Sequence, residues 1–389
     1  MPLQTQFGFR HTTRIIHGPG SIAELSGLFS RKDKVLIVTD RALVDIGTVD
    51  RVAAALSDIP HAVYIRAGSA TAGKIFEPSK RCVSAGRRLY EKEGCTALIG
   101  LGGGSPMDVA KMIGVVAANR GQISHYLGMD LVAKDIPPLV CIPTTYGTAS
   151  EITPYAVLHN PQTGNKDPVI SHKIAALVGV LDPELSVALP GPIGAATGMD
   201  ALTHALESYI NLMATPITEG IALHAIQLIG DNFRLACAND HELVATENML
   251  IASMMAGIAF SQTRLGNVHA MSHPVGARYH VHHGLANAIL LPHVMNFNLH
   301  TRPAKFAAIA EALGSDTSGL DDREAAMLAV DAIRDLNDDL GIPTKLGDVG
   351  VKKNGIRPMA KAAMLSGNIP VNPRKTSQSD LETIFQQAI

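Results

Sequence analysis

The stretch Thr96-Ala-Leu-Ile-Gly-Leu-Gly-Gly-Gly-Ser-Pro-Met-Asp-Val-Ala-Lys111 decides the fold. Its apolar run up to Leu101 reads as a buried strand, the glycines Gly102, Gly103 and Gly104 break it, and Pro106 suits the first turn of a helix over 106–118. A strand, a tight glycine turn and a helix form the repeating unit of a parallel sheet covered by helices. The alternation extends to both sides, with strands expected over 34–40, 61–65, 138–143 and 175–181 and helical patterns over 41–57 and 79–93.

After Asp182-Pro183 and the punctuation Pro190-Gly-Pro192 the pattern changes to long amphipathic helices over 192–211, 216–237, 241–262 and 283–299. The expected architecture is an α/β domain with a parallel sheet over 1–190, followed by an all-helical domain over 191–389.

Composition narrows the function classes. The 33 basic residues against 35 acidic ones leave a net charge of −2 on 389 residues, which gives no electrostatic footprint for nucleic acid or an anionic membrane. The longest apolar run, 249–260, is interrupted by Ser253 and Gly257 and falls short of the roughly 20 residues a bilayer span needs. No secretory signal is expected from the first residues, and the scattered Cys82, Cys95, Cys141 and Cys237 suit a reduced cytoplasmic compartment.

Histidine carries the chemistry. Of 16 histidines, five (His269, His273, His280, His282 and His283) fall within the stretch 269–283. Upstream, Asp200 and His204 are four residues apart and project from one helical face, a spacing that His269 and His273 repeat. One carboxylate with two or three imidazoles suits Fe²⁺ or Zn²⁺ and leaves a coordination position for a substrate oxygen, although any single histidine is more often a satisfied core or surface residue.

On the α/β side, Gly102-Gly-Gly-Ser105 ahead of a helix is either a tight turn or a phosphate cradle, and it departs from the GxGxxG fingerprint at Ser105. Asp40, at the end of a strand, is either a helix N-cap or a ribose-binding carboxylate. The hydroxyl-rich Pro143-Thr-Thr-Tyr-Gly-Thr-Ala-Ser-Glu151 is either a locally bonded turn or a nucleotide contact.

With these residues together, the chain resembles the iron-containing, or group III, alcohol dehydrogenase family along nearly its whole length, to Asn372-Pro-Arg374. The resemblance implies that the α/β part over 1–190 is a Rossmann-like dinucleotide-binding domain for NAD and that the all-helical part over 191–389 is a metal and substrate domain, in the dehydroquinate synthase-like architecture. It implies Asp200, His204, His269 and His283 as ligands to Fe²⁺ or Zn²⁺, with His273 beside the nicotinamide, either positional or a catalytic proton relay. It places Gly102, Gly103, Gly104, Ser105, Asp108, Thr144, Thr145, Thr148 and Lys166 around NAD, and Asp40 where it favours NAD over NADP.

The expected reaction is hydride transfer between a small alcohol or aldehyde and NAD, with the metal acting as a Lewis acid on the substrate oxygen. A homo-oligomer is also expected. The alternatives are a dehydroquinate synthase-like or glycerol dehydrogenase-like enzyme. A maleylacetate reductase, a metal hydrolase or a non-catalytic metal binder fits the motifs less well. Departures from the family pattern concern the substrate: the stretch 69–78 lacks an Asn-Pro-Thr run, Tyr146 and Ala149 replace smaller residues, and Arg264 and Arg278 flank the histidines. Either arginine could hold an anionic substrate tail or lie on a solvated or oligomer surface; His280 and His282 keep a structural reading.

Overall fold

The computed structural model describes residues 8–66, 78–159, 166–238 and 242–389, with Lys166 described by its backbone alone. Residues 69–77 of the departing stretch lie outside these. Nine strands are described: β1 (Arg14–His17), β2 (Val35–Thr39), β3 (His61–Ile65), β4 (Ala97–Gly102), β5 (Gly128–Met129), β6 (Leu139–Pro143), β7 (Tyr155–His159), β8 (Lys166–Ile170) and β9 (Val178–Leu181). The interleaved helices are α1 (Leu25–Leu28), α2 (Arg41–Asp45), α3 (Thr48–Ala55), α4 (Lys80–Lys92) and α5 (Gly104–Ala118).

Six strands form one sheet in the order β1-β9-β6-β4-β2-β3, every neighbouring pair parallel. The continuous apolar runs read from the sequence have a simple cause, since both faces of this sheet are covered. Val35 and Ile37 pack with Leu25, Val49 and Val52 on one side, while Leu36 and Val38 pack with Val83, Val109 and Ile113 on the other. Strand β1 escaped the sequence reading because it is a partly exposed edge strand paired only with β9 and carries no buried run. A second sheet, β5-β8-β7, forms beside α5 and is likewise unmarked by long apolar runs.

From Gly191 onward the elements are helical: α6 (Gly191–Ile210), α7 (Pro216–Ala238), α8 (Leu243–Thr263), α9 (Asn267–Tyr279), α10 (His283–Asn298), α11 (Pro303–Ala312), α12 (Asp322–Asp339), α13 (Ile356–Ala363) and α14 (Gln378–Ala388). Helix α6 is buried on all sides from Gly194 to Ile210, so it forms the axis on which α7, α8 and α10 pack. Close approach is made by glycines. A side chain at Gly198 would collide with the Phe233 ring, and one at Gly284 would run into the carbonyl of Ala196, its Cβ only 2.0 Å from that oxygen. Helix α8 reaches beyond the 249–260 run and is long and apolar enough, by length and composition, to cross a membrane. Its apolar surface is instead used inside the fold, where Met249, Leu250, Ala252 and Ala256 belong to the helical core.

Candidate active site

The glycine turn lies at the carboxyl ends of the parallel strands, where β4 runs into α5 and Gly102 has φ +136°, a conformation that suits glycine. The two loops quoted from the sequence meet here. A Cβ at Gly103 would touch Thr145, and one at Gly104 would lie 2.8 Å from the Thr148 side chain. The Thr144 amide donates to the Gly102 carbonyl at 3.1 Å. Gly102, Gly103, Gly104, Ser105, Thr144, Thr145 and Thr148 thus line one ledge at the start of α5.

Two other expected cofactor residues behave differently. Asp40 occupies the N-cap position of α2 without capping it; its carboxylate forms an ion pair with the buried Arg66 at the end of β3. Asp108, assigned above to the cofactor set, is fastened within the protein: its carboxylate accepts from the Ser150 hydroxyl at 2.7 Å and the Val157 amide at 2.9 Å. A helix position one turn past the glycine loop thereby holds β7 to α5. The buried Lys111 does the same work, donating to the carbonyls of Ser150, Thr153 and Tyr155 at 2.6–2.8 Å. For Lys166, only the place on β8 is described.

On the helical side Asp200, His269 and His283 converge, each offering a ligand atom within 4.8 Å of the others. His204 stands next to them. The Nε2 atoms of His269, His283 and His204 lie 3.5, 3.7 and 3.8 Å from Asp200 Oδ1. Tetrahedral ligands bound at about 2.1 Å would be roughly 3.4 Å apart, so this donor set fits a small divalent cation with little adjustment.

The opposite face of each imidazole is engaged, which leaves Nε2 to the centre. His204 Nδ1 is 3.2 Å from the Gly147 carbonyl, His269 Nδ1 is 2.7 Å from Glu207 Oε2, and His283 Nδ1 is 3.4 Å from the Ser272 hydroxyl. His204 is further held by ring stacking on Phe260 and on His269. Glu207 also accepts from the Val268 amide at 2.6 Å, which satisfies a donor in the first turn of α9.

Charge favours a cation here. Burial opposes ionisation of Asp200, yet His204, His283 and His269 hold its carboxyl well below the usual carboxylate range. Burial, with the neighbouring His269, lowers His204 to about 4 against the opposing pull of Asp200 and Glu207, which keeps it neutral, the form that ligates a metal. His269, although burial disfavours its charge, is pushed up to about 9 because its ring N–H groups donate to the Asp200 and Glu207 carboxylates. Two buried carboxylates around one imidazole draw positive charge to this point.

Sequence reasoning missed Glu207 and Asn287. With Asp200 as i, His204 and Glu207 stand at i+4 and i+7 of one α6 face, a signal that was available. Asn287 lies one turn after His283, with Nδ2 at 2.7 Å from Asp200 Oδ1. His273 stands at the edge, its ring stacked on His283 at 5.2 Å and edge-on to His269. His280 caps the end of α9 with φ +57°, and His282 precedes α10. Arg278 is exposed and packs over the Tyr279 ring. Arg264 ends α8 with φ +64°, strained for a residue other than glycine, with its guanidinium 3.4 Å from the Gly367 carbonyl.

Both halves of the chain match known proteins. Residues 12–183 match the family model described as iron-containing alcohol dehydrogenase, and residues 194–389 match that of the Fe-containing alcohol dehydrogenase family, C-terminal. The chain is 43% identical over 357 residues to 1,3-propanediol dehydrogenase of Citrobacter freundii, covering 91% of each chain. It is 39% identical to NAD-dependent methanol dehydrogenase of Bacillus methanolicus, covering 96% of this chain and 97% of the relative. A crystal structure of 1,3-propanediol oxidoreductase superposes with a TM-score of 0.93 at 39% identity, covering 99% of this chain and 100% of the other. With both of its halves matched, and relatives of this identity along nearly its full length, the chain belongs to the iron-containing alcohol dehydrogenase family and is an oxidoreductase acting on CH–OH groups.

Proposed function

We propose that Asp200, His204, His269 and His283 hold one divalent cation, Fe²⁺ or Zn²⁺, and that the glycine–threonine ledge holds NAD so that hydride passes between nicotinamide and a small alcohol or aldehyde. The observation that carries this reading is that three imidazole Nε2 atoms lie 3.5–3.8 Å from Asp200 Oδ1, beside a loop that also lines the ledge. A bound metal supplies Lewis acidity toward the substrate oxygen.

The protein's own groups do the remaining work. Glu207 and the Gly147 carbonyl fix the orientation of His269 and His204, so the ligand atoms are set before substrate arrives. The free N–H groups at the start of α5 and the small residues Gly103 and Gly104 allow a pyrophosphate to approach the backbone. Asp40, held by Arg66, presents a carboxylate edge to an adenosine ribose and favours NAD. His273, stacked on His283, is placed to pass the alcohol proton outward from its imidazole.

The boundary between the two units is placed near residue 190. The dehydroquinate synthase-like alternative is not favoured, because the relatives are dehydrogenases. We further propose a homo-oligomer in the cytoplasm; exposed Leu212 and Met213 between α6 and α7, with Ile217 in the first turn of α7, offer an apolar contact, and the four cysteines are free thiols. His269→Ala tests the central reading. Bound metal and turnover should disappear while NAD affinity, measured by fluorescence titration, stays within about threefold; activity in a metal-free preparation would refute it.

A further inference from the structure

Asn287 and a cation ask for the same lone pairs. The side chain is fully buried on α10, one turn beyond His283. Its Nδ2 lies 2.7 Å from Asp200 Oδ1, 3.2 Å from His269 Nε2 and 3.3 Å from His283 Nε2. These three atoms are the ones that converge as candidate ligands. An amide N–H is a donor only, and here it donates to Asp200 Oδ1, the lone pair a cation would need, with the two imidazole nitrogens crowded against the same NH₂ group. A cation needs those lone pairs for itself and is repelled by the positive end of the N–H dipole.

The other end of the same amide, Oδ1, is buried and makes no hydrogen bond. Turning the amide by half a turn about its last side-chain bond would exchange the two ends without moving the backbone or the packing. Oxygen toward the centre suits a cation, since a carbonyl oxygen is an acceptor that hard cations tolerate or bind. Without a cation, that orientation sets an oxygen against the Asp200 carboxylate oxygen, with no proton between them. The two orientations therefore belong to two states of the centre, one closed by the amide nitrogen and one open to metal.

We propose that the Asn287 amide competes with the metal for Asp200, His269 and His283, and that its rotation gates uptake of the ion. The inference rests on the metal reading given above. The experiment mixes metal-stripped protein with Co²⁺ in a stopped-flow instrument and follows the visible absorption of the bound ion, for the parent and for Asn287→Ala and Asn287→Ser. Removing the competitor should speed Co²⁺ association about tenfold, the effect of one competing hydrogen bond. Dissociation into excess chelator should change less than twofold. The melting temperature should fall more for the metal-stripped variant than for the Co²⁺-loaded one.

Association that is unchanged or slower, or faster dissociation, would overturn the proposal and make Asn287 a holder of the metal or a packing residue. The serine variant keeps a small polar group and reports the same rates if the alanine variant fails to fold. Failure of the parent to bind Co²⁺ at all would instead sink the metal reading itself, so the two failures are distinguishable.

Discussion

His204 Nδ1 lies 3.2 Å from the carbonyl oxygen of Gly147, so a candidate metal ligand on α6 is oriented by the loop that also carries Thr145 and Thr148. Contact is close because Gly147 has no side chain: a Cβ there would sit 2.8 Å from the Thr197 carbonyl. The two halves of the site are thus joined through one peptide group. Gly147→Ala should push the loop off α6, raising KM for NAD and lowering metal content together. Steady-state kinetics and metal analysis of the same preparation check this; a change in one without the other would show that the halves are independent.

Glu207 bridges His269 and the first turn of α9. Replacing it with glutamine removes the charge that fixes the Nδ1–H tautomer of the ligand. We expect metal affinity to fall by about 10–100-fold, read by chelator competition, with NAD affinity unchanged. Affinity equal to that of the parent would leave Glu207 as a helix cap alone.

Gly284 lies where α10 crosses α6, its position 3.3 Å from the Asp200 side chain as well as against Ala196. Gly284→Ala must separate the two helices. Overpacking of this kind costs roughly 1–3 kcal/mol, so denaturant unfolding should show that loss. Because His283 precedes Gly284, bound metal should fall too.

Arg264 and Arg278 were equivalent in the sequence and are not so in the structure. Arg264 keeps a strained backbone beside the Gly367 carbonyl, close to Tyr155 and thereby to Phe260 on the His204 ring, whereas Arg278 rests over its neighbour Tyr279. Strain of this kind persists where the surroundings demand it. If Arg264 holds an anionic substrate tail, Arg264→Ala lowers kcat/KM for acidic alcohols at least tenfold more than for neutral ones, and Arg278→Ala leaves the ratio alone. Equal ratios for both variants would end the anionic-tail idea.

Glu151 is almost entirely buried, and burial pushes its carboxyl up to about 7, against a backbone hydrogen bond and the Lys111 charge that lower it. The native state then keeps a proton that the unfolded chain releases, so stability from this group is present at low pH and lost as pH rises from about 4.5 to 7. Compared with Glu151→Gln, the parent should lose more than about 1 kcal/mol between pH 5 and pH 8 in denaturant unfolding. A difference independent of pH would mean that Glu151 is ionised throughout.

The alternation of apolar runs and helical patterns made the parallel sheet legible, since strands buried on both faces must be apolar throughout, as Val35–Thr39 is. Strands β1, β5, β7 and β8 left no comparable mark, being short, at edges, or half-solvated. Helical spacing put Asp200 and His204 on one face, and histidine clustering drew attention to 269–283, because both are properties of the chain taken locally.

The amino-acid sequence by itself therefore determined the fold class, the glycine turn and the residue types of the centre. Only the tertiary structure decided how those residues divide their roles. Glu207, Asn287 and the Gly147 carbonyl reach the centre from 62, 18 and 57 positions away from the imidazoles they contact, and Asp108 binds Ser150 and Val157, 42 and 49 positions on. Hydrogen bonds depend on distance and direction in space, and no local pattern records which distant carboxylate, amide or carbonyl the packing of helices will bring against a given ring.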